Sequence, residues 1–151
     1  MDFTYKIYSK LLDSILNKKV DIYTLKDYAE IQGVTINNSI IIRHDVDRKP
    51  ENALMCAKIE HQKGIKSSYY FRIVPESLNL NIMDQISKLG HEIGYHYEDV
   101  DLVLKTNKKI VDKEQVIELS YKSFCRNLKE LRSNFEIKTA CMHGSPLSKY
   151  D

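Results

Sequence analysis

The sequence predicts an α/β fold in which parallel strands alternate with helices. Short runs rich in β-branched and aromatic residues alternate along the chain with segments of helical periodicity. The first run, residues 39–43, is apolar without alternation, which is typical of a parallel strand covered on both faces. Polar side chains follow the runs where strands would end, and α/β sheets and barrels bind ligands at that edge. A doubly wound sheet and a (β/α) barrel both agree with these observations.

The first 38 residues are expected to be a helical N-terminal extension. Residues 3–18 carry a stripe of apolar side chains at helical spacing. A second short helix is predicted over residues 24–31, ending at Gly33. Residues 39–151 then form the part in which strands and helices alternate.

Each element of this second part has a local signal. Pro50 suits the first turn of a helix, and Gly64 and Gly90 suit the positions just after helix ends. The predicted order is a strand at 39–43, a helix from Pro50 to His61, a strand at 67–74, a helix at 81–89, a strand at 92–95, a helix at 112–131 and a strand at 136–142.

The composition is that of a globular protein with one domain. Of the 151 residues 42% are hydrophobic, enough to form a core. The 23 basic and 21 acidic residues are mixed along the chain, so no basic stripe indicates a nucleic-acid partner. No secretory leader and no apolar run long enough to cross a bilayer is found, so we expect a cytoplasmic protein without a membrane span.

The cysteines indicate neither a disulfide framework nor a zinc ribbon. They are odd in number, far apart and outside any C-x-x-C pattern. We expect all three to be small buried apolar residues. They are Cys56, Cys125 and Cys141.

Two aspartates follow the first strand. Asp45 and Asp47 flank Val46, so on an extended backbone both carboxylates share a face. One could hold a divalent cation while the other acts as a general base. Alternatively, the segment is a solvated loop in which Asp47 caps the helix that starts at Pro50.

Two histidines end later strands. His96 in G-H-E-I-G-Y-H-Y-E-D is a natural nitrogen ligand for zinc, whereas His91, at the start of that strand, is expected to be structural. His143 in C-M-H-G-S-P could ligate a metal, donate a proton or stabilise an oxyanion. Either His96 or His143 could also be an ordinary polar residue of a turn.

These motifs together resemble the front part of the polysaccharide deacetylase superfamily, also named the NodB-homology or carbohydrate esterase family four domain. The segments are I-I-I-R-H-D-V-D, G-I-K-S-S-Y-Y-F-R, G-H-E-I-G-Y-H-Y-E-D and K-T-A-C-M-H-G-S-P, covering residue 39 onwards. The likeness is greatest to a divergent branch found with surface-polysaccharide biosynthesis. It implies a distorted (β/α) barrel of about seven strands, of which this chain, apparently truncated, would supply the front part.

The resemblance also implies roles for residues. It makes Asp45 the catalytic base and Asp47 a metal ligand, and it makes His96 the first of two metal histidines. Val100 stands at the second histidine position and cannot bind metal. His143 is favoured as the third ligand and is also the candidate general acid.

Other positions depart from the family pattern. Glu98 and Asp99 are the alternatives to His143 as third ligand. The arginine that steadies the base in the third family motif is missing from C-M-H-G-S-P. The family's own general acid would lie beyond Asp151.

The expected function is metal-dependent hydrolysis, with zinc as the first candidate ion, that removes acetyl groups from a sugar or a surface-polysaccharide precursor. The alternative is a truncated or degenerate module that binds metal or carbohydrate weakly, with self-association or a complementary chain covering its open sheet. A metal-dependent phosphohydrolase is a third hypothesis. It is weakened because Lys49 stands where aspartate-nucleophile phosphatases carry a small hydroxyl or β-branched residue.

Overall fold

The computed structural model describes residues 4–31, 38–107 and 112–144. Its strands are β1 (Asp21–Tyr23), β2 (Ser39–Ile41), β3 (Arg43–Val46), β4 (Ser68–Phe71), β5 (Glu92–Tyr97) and β6 (Ala140–Met142). Its helices are α1 (Tyr5–Leu16), α2 (Leu25–Glu30), α3 (Pro50–Gln62), α4 (Leu80–Lys88), α5 (Asp99–Thr106) and α6 (Lys113–Arg132).

Strands β3, β4, β5 and β6 form one parallel sheet in chain order. Helices α3 and α4 connect its first three strands, and α5 and α6 lie between β5 and β6. The sheet is curled like half of a barrel. The predicted α/β class, with parallel strands alternating with helices after N-terminal helices, is confirmed.

The isoleucine run does not form the single buried strand that was predicted. It divides at Ile42, because β2 pairs with β1 whereas β3 pairs with β4. The carbonyl of Ile42 accepts a hydrogen bond of 3.0 Å from the amide of Ser68, which brings the chain onto β4. In the described part of the chain β2 belongs to a two-stranded sheet, and Ile40 and Ile41 are only half-buried.

The main core lies between the four-stranded sheet and the helices. Its buried side chains are Val46, Ala57, Tyr69, Phe71, Ile82, Met83, Ile86, Ile93, Tyr95, Leu131 and Ile137. Helix α6 buries only one side against this core, and its Tyr121 is 67% exposed. Five positions separate Tyr121 from the buried Val116, which places the two side chains on different sides of the helix.

The N-terminal elements contact the sheet. Tyr8 and Leu12 of α1 form a second apolar cluster with Ile65. At the start of α2, the backbone amide of Leu25 donates to Ser68 Oγ (2.8 Å), and that of Lys26 donates to a carboxylate oxygen of Glu92 (3.0 Å). Because Ser68 and Glu92 begin β4 and β5, α2 covers the amino-terminal edge of the sheet.

Helix α5 was not predicted. It begins at Asp99, whose carboxylate accepts hydrogen bonds from Tyr95 (2.7 Å), Ser123 (2.7 Å) and Asn127 (2.8 Å). These bonds join α5 to β5 and α6. Among the helices of the described residues, none has the length and apolar character needed to cross a membrane.

Candidate metal centre

The curl of the sheet brings together side chains from strands that are not neighbours. Asp45 lies in β3 and His96 in β5, with β4 between them. Two strand spacings amount to about 9.6 Å, yet Asp45 Oδ2 lies 3.9 Å from His96 Nε2. The sheet is therefore curved toward this face, and its carboxyl edge forms a common site.

Three candidate ligand atoms meet at that edge. His143 Nδ1 lies 3.1 Å from Asp47 Oδ1 and 3.3 Å from His96 Nε2, and the remaining pair, His96 Nε2 and Asp47 Oδ1, is 3.6 Å apart. Bonds of 2.0–2.1 Å to a tetrahedral zinc ion place two ligand atoms about 3.3 Å apart. The three residues predicted as metal ligands are thus brought together at separations that fit such an ion.

The hydrogen bonding of Asp47 also fits a cation. The Asp47 side chain is 49% exposed, but its Oδ1 atom is shielded from solvent and forms no hydrogen bond with the described residues, although His143 Nδ1 lies 3.1 Å away. A buried carboxylate oxygen without a donor is costly. A metal ion at this position would satisfy it together with the nitrogens of His96 and His143.

His96 is oriented for ligation by its other ring nitrogen. Its Nδ1 donates to the carbonyl oxygen of Cys141 (3.3 Å), which leaves the lone pair of Nε2 facing Asp47 and His143. Burial lowers the pKa of His96. The neutral ring that results is the form that binds metals.

Asp45 is held by an arginine that the sequence interpretation overlooked. Arg43 Nε and Nη2 each donate a hydrogen bond of 2.7 Å to one carboxylate oxygen of Asp45. Burial is the largest single influence and by itself raises the pKa of Asp45, but the bonds from Arg43 together with the charges of Arg43, His96 and His143 lower the pKa overall. Arg43, from β3, thus gives Asp45 an arginine partner, although C-M-H-G-S-P contains no arginine.

Cys141 also lies at the site and was missed. Its Sγ is 3.1 Å from His96 Nδ1 and 3.9 Å from Asp45 Oδ1, so Asp45, His96 and Cys141 form a second group that could hold a metal. The expectation of three buried cysteines is wrong, because Cys56 and Cys141 are half-buried and Cys125 is exposed. Burial raises the pKa of the Cys141 thiol to about 12.

The other acidic candidates are engaged elsewhere. Glu98 accepts two hydrogen bonds, of 2.7 and 2.8 Å, from Arg72. Asp99 is committed to its contacts with Tyr95 and α6. Of the three residues considered for the third ligand, His143 alone is in the group with Asp47 and His96.

Two further expectations concern structural roles. Asp47 does not cap α3, because the residue preceding that helix is Lys49 in a left-handed conformation (φ 54°) without a side-chain cap. His91 is a core residue, as predicted. Its Nδ1 accepts from the amide of Ser67 (3.1 Å) and its Nε2 donates to the carbonyl of Ala57 (2.9 Å).

Gly33 and the residues from Ser145 onwards lie outside the described residues.

No protein-family model, curated protein or solved structure matches this chain. Its function must therefore be inferred from the geometry of the site.

Proposed function

We propose that this chain is a metal-dependent hydrolase that removes acetyl groups from a sugar or a surface-polysaccharide precursor. The observation that carries the proposal is the convergence of Asp47, His96 and His143, within 3.6 Å of one another, beside the arginine-bound Asp45. One carboxylate and two imidazoles are a ligand set used by catalytic zinc ions, which keep a further position open for water or substrate. The motif resemblance to polysaccharide deacetylases supplies the substrate class.

Asp47 Oδ1, His96 Nε2 and His143 Nδ1 would hold the ion. When bound, a divalent metal such as zinc lowers the pKa of water and polarises a carbonyl group. The sequence left His143 with two roles, ligand and general acid. Because its Nδ1 faces the other two ligand atoms, we assign it to the ion.

Asp45 is assigned the proton transfers. It lies beside the ligand group without belonging to the set formed by Asp47, His96 and His143. Arg43 keeps its carboxylate ionised and in one orientation, ready to accept a proton from the attacking water. The same proton can then pass from Asp45 to the departing amine or alkoxide, which returns the carboxylate to its ionised form.

A second candidate is a module that binds metal without hydrolysis. The observation that favours it is again the contact between Arg43 and Asp45. An arginine that engages both carboxylate oxygens lowers the proton affinity of the base, which makes proton abstraction slower.

The test combines binding with turnover. Zinc is titrated calorimetrically into the metal-stripped native chain and into Asp47→Ala, and acetate release from N- and O-acetylated sugars is then measured. One-to-one binding lost in Asp47→Ala, with acetate release lost in Asp45→Asn, supports the hydrolase. Binding without acetate release supports the second candidate, and phosphate release from simple esters would support a phosphohydrolase instead. Absence of zinc binding by the native chain would sink the proposal.

A further inference from the structure

Asp47 is the least constrained of the three candidate ligands by the sheet itself. Strand β3 ends at Val46 and α3 begins at Pro50, so Asp47 lies in the short connection between them. In contrast, His96 lies within β5, and the amide of His143 donates to the carbonyl of Tyr97 (2.8 Å). Whatever fixes the backbone of Asp47 must therefore come from outside the strand pairing.

Arg72 provides such a contact. It follows the last residue of β4, and its Nη1 donates to the backbone carbonyl of Asp47 (3.3 Å). Its Nε and Nη2 donate to the two carboxylate oxygens of Glu98 at 2.7 and 2.8 Å. Glu98 stands two residues after His96. One guanidinium thus joins the connection that carries Asp47 to the end of the strand that carries His96.

Ser77 adds a second contact from the same segment. Its hydroxyl donates to the carbonyl of Val46 and accepts a hydrogen bond of 3.1 Å from the amide of Arg72. Ser77 is fully buried. The loop after β4 therefore holds two successive carbonyls, those of Val46 and Asp47.

Burial keeps the contacts between Arg72 and Glu98 in a fixed geometry. The side chains of Arg72 and Glu98 are 15% and 3% exposed, so water competes little for their hydrogen bonds. A guanidinium is planar and carries five donors in a fixed arrangement, which lets it bind a carboxylate and a carbonyl at once. A lysine ammonium in the same place is a compact charge on a flexible stem and could not keep both contacts.

We propose that Arg72 is a positioning residue for the metal centre, holding Asp47 at its distance from His96 through Glu98. The inference rests on the proposed metal centre. Outer-shell contacts of this kind orient ligand groups, and their loss lowers metal affinity by about 10- to 100-fold. Arg72 itself touches neither metal nor substrate, so its effect must pass through Asp47.

The experiment measures zinc affinity in the full chain. Arg72→Met is combined with Glu98→Gln, because a buried Glu98 without its partner could prevent folding. Arg72→Lys is the second variant and keeps a positive charge beside Glu98. Arg132→Met is the matched control, since Arg132 likewise donates to a backbone carbonyl, that of Ile137 (3.1 Å), away from the site. Circular dichroism confirms that each variant is folded.

We expect zinc affinity to fall by about 10- to 100-fold in Arg72→Met/Glu98→Gln and also in Arg72→Lys, with Arg132→Met unchanged. In the cobalt-loaded protein, the visible absorption bands should change shape in both Arg72 variants, because the geometry at the ion changes.

Two results would overturn the inference, and they are distinguishable. If native zinc binding is lost in Asp47→Ala but unaltered in folded Arg72→Lys and in the double variant, only the role of Arg72 is wrong. If the native chain binds neither zinc nor cobalt, the proposed metal centre fails and the inference fails with it.

Discussion

Arg43 and Asp45 stand two positions apart on strand β3, and the guanidinium of Arg43 donates two hydrogen bonds of 2.7 Å to the two carboxylate oxygens of Asp45. Successive side chains of a strand point to opposite faces, so residues two apart share a face. The pair stands beside His96, with Asp45 Oδ2 at 3.9 Å from its Nε2. Asp45 is therefore both ionised and oriented before any substrate arrives.

Replacing Arg43 should raise the pKa of Asp45. The two hydrogen bonds stabilise the ionised carboxylate, whereas burial acts in the opposite direction and remains in the variant. The pKa of Asp45 should therefore be higher in Arg43→Met than in the native protein. Carbon-13 NMR titration of the Asp45 carboxyl group in metal-free protein measures this change. Arg43→Lys, which keeps the charge without the paired hydrogen bonds, should give a smaller rise. An unchanged pKa in Arg43→Met would show that the pair does not control Asp45.

Substitutions of the metal ligands should lower zinc affinity, whereas substitution of the base should not. Asp47→Ala and His96→Ala should each lower zinc affinity by more than about 100-fold, since outer-shell changes alone cost up to that amount. Asp45→Asn should keep zinc affinity near the native value and abolish acetate release. Titration calorimetry on metal-stripped protein measures the zinc affinity of all three variants, and an acetate assay measures the activity of Asp45→Asn. Equal affinity in native protein and His96→Ala would remove His96 from the centre.

A second buried group of titratable side chains lies on the opposite face of β3. Glu60, which is fully buried, accepts hydrogen bonds from Tyr8, from His44 Nε2 (2.6 Å) and from Tyr69 (2.6 Å). Burial alone would raise the pKa of Glu60, but these donors outweigh it and the pKa is lowered. The group ties α1 and β3 to α3 through a charge that has to stay ionised.

This group predicts a loss of stability in acid. A carboxylate whose native pKa is depressed contributes stability at pH values above its unfolded-state pKa of about 4.3, and the contribution disappears as pH falls through the native pKa. Glu60→Gln should lower the free energy of unfolding at neutral pH by about 1.5–3 kcal/mol for each charged hydrogen bond lost. Urea unfolding at a series of acid pH values should show that the free energy of unfolding depends less on pH in this variant than in the native chain.

The matched control is Glu136→Gln, because Glu136 is exposed and pairs with Lys26 at the surface. Its unfolding curves should follow those of the native chain. Parallel pH dependences for native protein and Glu60→Gln would show that Glu60 does not supply the acid sensitivity.

Local periodicity was sufficient to predict most helices and strands, and the exceptions share a cause. Strand β1 has three residues and exists because β2 lies beside it. Helix α5 begins at Asp99, whose partners Ser123 and Asn127 are 24 and 28 positions further along the chain. Neither element has a strong local signal, since both are stabilised by contacts with distant residues.

Part of the site was accessible from the sequence because topology places all carboxyl strand ends at one edge. Strand periodicity could also have revealed two overlooked residues, since Arg43 lies two positions before Asp45 and Cys141 two before His143. The contact of Arg72 with the Asp47 carbonyl could not be predicted in this way. It depends on the tertiary arrangement of the segments that follow β3, β4 and β5.

The cysteines should differ in reactivity. Thiol alkylation proceeds through the thiolate, and burial raises the pKa of Cys56 to about 11 and that of Cys141 to about 12. Cys125 is exposed on α6. At neutral pH iodoacetamide should therefore modify Cys125 first, with the other two slower by at least about tenfold. Peptide mass spectrometry over time checks the order, and early modification of Cys141 would contradict it.

Gly94 is required because of the aromatic ring beside it. A Cβ atom at this position would lie 2.4 Å from a ring carbon of Tyr70, closer than real contacts allow. The Tyr70 ring cannot easily move away, because it is buried, its hydroxyl is hydrogen-bonded to Thr139 Oγ1 (2.5 Å) and Arg43 stacks over it at 5.5 Å. Gly94→Ala should therefore lower the free energy of unfolding by about 1–3 kcal/mol.

A displaced Tyr70 ring should also disturb the site, because Tyr70 contacts Arg43, which holds Asp45. Acetate release should fall in Gly94→Ala more than zinc affinity does. Gly144→Ala is the matched control, since a Cβ atom there meets none of the described residues within 4 Å, and its stability should stay within about 0.5 kcal/mol of native. Urea unfolding of both variants decides the matter. If Gly94→Ala is as stable as Gly144→Ala, the Tyr70 ring is free to move and does not support Arg43.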